Sequence, residues 1–96
     1  MARYAIDIVQ AHGGDPFEFT VTVRGKRETK HAVVLCEATL EQLAPAGTSP
    51  EQLVRAAFEF LLDRESNESV LPRFDVSVIE RYFSDFPKEV GTYLAR

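Results

Sequence analysis

The most regular pattern in the chain is an alternation. Phe17, Phe19, Val21 and Val23 are separated by Glu18, Thr20 and Thr22, with Arg24 closing the run. That is the period of two of a strand with one face in a core and the other in water. Thr29 to Cys36 forms a second β-rich run, and the link Arg24-Gly25-Lys26-Arg27-Glu28 contains a glycine and has the length of a hairpin connection. Upstream, Tyr4, Ile6 and Ile8 alternate with Ala5 and Asp7 before the turn-forming run His12-Gly13-Gly14-Asp15-Pro16. The pattern predicts three antiparallel strands, at about 4–9, 17–24 and 29–36, joined as a meander.

After Cys36 the period becomes helical. Thr39-Leu40-Glu41-Gln42 has the form of a capping box for a short helix that Pro45 ends. Ser49-Pro50-Glu51-Gln52 offers Ser at the N-cap, Pro at the first helical position and Gln at the third, and predicts a long central helix at about 50–64. Glu65 to Ser69 is a polar break, and Val70-Leu71-Pro72 with Phe74 predicts a short turn packed against the helices. Asp75 or Ser77, the latter in a Ser-x-x-Glu box with Glu80, predicts the cap of a short helix at about 76–84 with Val78, Ile79, Tyr82 and Phe83 on its apolar side. Phe86-Pro87 marks a break, and a last helix at about 88–94 carries Val90, Tyr93 and Leu94. The expected fold class is α+β: one domain, 1–96, in which an N-terminal antiparallel β-meander is packed by a long central helix and short C-terminal helices.

The central helix has an unusual distribution of side chains. Glu51, Gln52, Arg55, Glu59 and Asp63 occupy about one third of its circumference, and Leu53, Val54, Ala56, Ala57, Phe58, Phe60 and Leu61 spread over the rest. A surface helix needs an apolar stripe only a little wider than ~100°, so two surfaces must cover this one. One is the meander; the other is either the C-terminal helices or a second copy of the chain in a homodimer. Leu62 falls between Glu51 and Arg55 on the polar arc, which makes Val54, Phe58 and Leu62 the expected interaction surface.

Composition narrows the classes. Ninety-six residues, 45% hydrophobic and 27% charged, suit a single packed soluble domain. The lone Cys36 forms no intramolecular disulfide and supplies no zinc-ligand pair, so a reducing, cytoplasmic setting is expected. No apolar run approaches the ~20 residues of a membrane span, and Met1-Ala2-Arg3-Tyr4 opens a polar-interrupted pattern instead of the apolar core of a signal peptide, so neither membrane nor secretion is expected. The net charge of -4 disfavours nucleic-acid binding by bulk electrostatics. The charge is unevenly divided, however: residues 1–36 hold five basic and four acidic side chains, against six and eleven in residues 37–96.

The basic share is concentrated in Arg24, Lys26, Arg27 and Lys30, beside His31, and a two-stranded ribbon of this kind can enter a major groove; these are the candidate nucleic-acid contacts. His12 reads as a loop residue and His31 as a strand residue on the solvent face or at its edge. Neither has donors at metal-ligand spacing, so no metal is expected. His31 and Cys36 are an odd number of positions apart and point to opposite faces of a strand, which leaves Cys36 as a small filler at a strand end and not an activated nucleophile. Among the acids, Glu37, Glu41, Glu65 and Glu68 included, no spacing fixes a catalytic pair, and no phosphate loop, nucleophile elbow or dinucleotide fingerprint is present. No catalytic residue and no cofactor are expected.

Two resemblances add to this reading. From Val33, a strand, a short helix, the Ser49-Pro50 cap and a long helix resemble the ribbon-helix-helix regulators over residues 31–64, which would place Val33 and Leu35 in a core and Leu53, Ala57 and Leu61 at a dimer contact. The first helix is shorter than in that family, the strand already has a hairpin partner, and the base-reading positions are largely apolar. Over more of the chain, Phe17-Glu18-Phe19-Thr20-Val21-Thr22-Val23, Ser49-Pro50-Glu51-Gln52-Leu53-Val54, Phe58-Glu59-Phe60-Leu61-Leu62, Phe74-Asp75 and Val78-Ile79-Glu80-Arg81-Tyr82-Phe83 are similar to a family of small uncharacterised bacterial proteins that carries no assigned activity. The expected function is a non-enzymatic protein-interaction or regulatory module whose protein partner the sequence leaves open. A ribbon-helix-helix-like DNA-binding regulator or antitoxin is the alternative, and an enzyme stands third.

Overall fold

Residues 4–95 are described by a computed structural model; Arg96 and the opening Met1-Ala2-Arg3, part of the argument against a signal peptide, lie outside the described residues. Strands β1 (Ala5–His12), β2 (Phe17–Arg24) and β3 (Glu28–Leu35) make the antiparallel meander. A further strand, β4 (Arg73–Asp75), lies parallel to β3 on its other side, so the sheet order is β1-β2-β3-β4. Ile8, Val21 and His31 align across the first three strands, and Phe19, Val33 and Phe74 align across the last three. These rows form the covered face of the sheet. β1 extends to His12, which therefore ends a strand beside a register shift instead of sitting in the loop.

Among the described residues, four α-helices, α1 (Glu37–Leu43), α2 (Pro50–Leu62), α3 (Ile79–Tyr82) and α4 (Phe86–Leu94), complete the α+β fold. The box on α2 forms as its residues dictate: the Gln52 amide donates to Ser49 Oγ at 3.1 Å, and Gln52 Oε1 accepts from the Ser49 amide at 2.8 Å. The expected box at Thr39 does not form, because α1 begins earlier, with Cys36 at its N-cap. There the Asp15 carboxylate, from the β1–β2 turn, accepts from the Glu37 amide at 3.1 Å and serves the helix end from outside. The expected helix at 76–84 is divided: Asp75 caps a 3₁₀ turn over 76–78 by accepting from the Ser77 amide, and only α3 follows. The predicted break at Phe86-Pro87 is instead the first turn of α4, where proline's missing amide costs nothing.

The wide apolar arc of α2 has a direct structural cause. Phe58 and Phe60 are two positions apart, about 200° around the helix, and each meets a different layer. The Phe58 ring contacts His31 and Phe74 on the sheet, at centroid distances of 5.4 and 5.8 Å. The Phe60 ring is surrounded by Phe83, Phe86 and Tyr93 at 5.8, 5.0 and 5.9 Å. The covering layers are therefore the sheet and the C-terminal helices of the same chain, and the arc does not call for a second copy. Val54 and Phe58 have no exposure at all and Leu62 is half-buried, which corrects the expected interaction surface: two of its three residues are core.

Two further features frame the site. Arg64 stacks on Phe60 at 3.6 Å and donates to Asp85 and to the Tyr93 hydroxyl, tying α4 to the end of α2. At the opposite border of the sheet, β1 has β2 as its one neighbour, and Arg55 of α2 donates to the Ile6 carbonyl of β1 at 3.3 Å.

Candidate functional site

The basic hairpin folds as predicted, but its charge is partly spent. Arg24 pairs with Asp7 of β1 and with Glu28 across the turn, the latter at 3.3 Å. Lys26, Arg27 and Lys30 are exposed. The hairpin tip is also anchored. Asn67, only 2% exposed, donates from Nδ2 to the Arg27 carbonyl at 2.9 Å and to Thr29 Oγ1 at 3.0 Å, with the Val23 carbonyl at 3.4 Å. The Tyr4 ring lies against Gly25 so closely that a Cβ there would fall 2.7 Å from a ring carbon.

Asn67 belongs to a larger buried network. Since a carbonyl only accepts, the contact of His31 Nδ1 with the Leu71 oxygen at 2.8 Å places the ring hydrogen on Nδ1. Nε2 then accepts from the Thr29 hydroxyl at 2.9 Å, and that hydroxyl oxygen accepts from Asn67. His31 is 3% exposed on the covered face, which corrects its expected place on the solvent face or at an edge. Its partner is a backbone group forty residues away, invisible to any local pattern. One position on, the Ala32 amide donates to the Pro72 carbonyl at 2.8 Å, so β3 holds the Leu71-Pro72 segment by two adjacent bonds.

That segment forms the rim of an apolar cleft of about 300 Å³ between the end of α2, β4 and α3. Leu61, Phe74 and Ile79 make its floor, and Val78 and Phe83 its walls. Leu71 and Tyr82 stand at the mouth, 44% and 68% exposed. The apolar side predicted for residues 76–84 placed Tyr82 inside; Ile79 is buried and Tyr82 is left exposed at the last position of α3. Glu65 is the acid that lines the cleft. Burial raises its carboxyl above the ordinary carboxylate range, and its side chain has no hydrogen bond or ion pair among the described residues. The sequence presents Glu65 only as part of a polar break, because the residues that surround it come from β4 and α3.

The remaining candidates stay apart. Cys36 is half-buried; burial first, then the charges of Asp75 and Asp15, pushes its thiol up, away from thiolate formation. The His31 ring nitrogens are engaged elsewhere. No group of three or more His, Cys, Asp or Glu side chains converges among the described residues. A second depression, of about 400 Å³, is lined by small residues including Ala46, Gly47, Gly91 and Ala95 and carries no ionisable side chain among the described residues. No helix among the described residues is long and apolar enough to cross a membrane. Comparison of the chain with protein-family models, curated proteins and solved structures finds no match.

Proposed function

We propose that this protein is an interaction module that acts without catalysis by receiving an apolar segment of a partner protein in the cleft between α2, β4 and α3. One observation carries this reading. Of the three large hydrophobic side chains that are exposed among the described residues, Leu71 and Tyr82 stand at the mouth of the same cavity. Scattered apolar residues are normal on a surface, whereas apolar residues gathered around a concavity mark a contact site. The cleft is also firmly built, since its rim is tied to β3 through His31 and Ala32, so little ordering is left for binding to impose.

The alternative of a DNA-binding regulator finds less support, because Arg24 is shared between two carboxylates and a phosphate must compete with both. The test is a selection from capped hexapeptides rich in Leu, Ile, Phe and Tyr, with binding mapped by amide chemical shifts. Shifts centred on Ser69 to Leu71 and Ile79 to Phe83, abolished by Leu71→Asp, are expected. Shifts centred on the 24–30 hairpin, produced by duplex DNA at ~50 mM salt where phosphate contacts are strongest, would replace this reading with the DNA one.

A further inference from the structure

Resting on that reading, we infer that the partner segment pairs its apolar anchor with a lysine or arginine whose cationic group sits on Glu65. The cleft is apolar on its floor and walls, and Glu65 and Tyr82 are the titratable side chains lining it. No basic residue among the described residues does so. The cation next to Glu65 in sequence, Arg64, is turned to the other side of the helix end, where Phe60, Asp85 and Tyr93 hold it. The other charged groups on the adjoining elements are Glu51, Arg55 and Glu59 on α2, Asp63 at its end, Glu68 on the segment that follows, Arg73 and Asp75 on β4, and Glu80 and Arg81 on α3, and none of these lines the cavity. Glu65 thus has no counter-ion among the described residues and sits where water is partly excluded. An incoming ammonium or guanidinium offsets the cost of keeping that carboxylate charged, and an incoming carboxylate adds to it.

The cleft's size bears on which occupant carries the cation. At about 300 Å³ it admits one large apolar side chain and its neighbour, which leaves the rest of a partner segment to lie over Leu71 and Tyr82. A free small amine would fill the cavity and leave these two side chains in water. The segment is therefore the better match.

Two matched libraries of capped apolar hexapeptides, one with a single Lys or Arg and one with a single Asp or Glu, test this by titration against the whole protein. The basic library is expected to bind about five-fold more tightly, near the upper range for a partly screened ion pair. Glu65→Gln should reduce that preference to within two-fold, while its amide spectrum shows the fold intact. A preference that survives Glu65→Gln, or equal binding of both libraries to the parent protein, overturns the inference and leaves the apolar docking reading standing. Binding of neither library overturns both. Hexylammonium as tight as the peptides would replace the protein segment with a small amine.

Discussion

Asn67 does more than its polar surroundings in sequence suggest. Its amide reaches carbonyls at both ends of the hairpin tip and, through Thr29, steadies His31. Asn67→Leu leaves those acceptors buried and unpaired, and a loss of about 2–4 kcal/mol is expected in urea unfolding. Glu65 shows the opposite economy. Because folding raises its carboxyl through burial, the native state favours the neutral form, and the resulting stability is present at acidic pH and lost as pH rises through the raised value. Glu65→Gln should therefore melt higher than the parent protein at pH 7 and at the same temperature at pH 3, as followed by circular dichroism. Neither residue's part was legible in the sequence. Polarity suggested loops and solvent, but each is defined by groups that only tertiary structure brings near: the acceptors of Asn67 are 38 to 44 positions away.

Among the elements, those with local signals were read well. The strand at 17–24 follows from alternation, the one near 29–36 from its β-rich run and the hairpin link before it, and α2 from its cap, because all three causes lie within a few neighbouring residues. Ser49→Ala removes the acceptor for the Gln52 amide and is expected to cost about 1 kcal/mol of stability, measured by thermal unfolding, with the sheet unchanged. Elements that depend on distant partners were missed or misplaced. β4 is three residues long, too short for any alternation to show, and exists because Val33 and Val34 of β3 pair with Phe74 and Asp75. α1 starts where Asp15 accepts from its first amide, not where Thr39 suggested. The cleft was illegible for the same reason, since its floor combines Leu61, Phe74 and Ile79 from three separate elements.

For the whole molecule, the decisive fact is that α2 lies between two aromatic groups, with His31 and Phe74 on one side and Phe83, Phe86 and Tyr93 on the other. The sequence showed that two layers were needed, and the fold supplies both from one chain. The other end of the sheet is less thoroughly covered. β1 is eight residues long and contains no proline or lysine; its one acid, Asp7, is occupied by Arg24, and Val9 is 65% exposed. The guanidinium of Arg55 of α2 reaches the Ile6 oxygen there. An edge strand offers unpaired backbone groups to any second strand, so the register shift between Gln10 and His12 and the Arg55 bond to Ile6 are the features that set this border apart from a flat, open template.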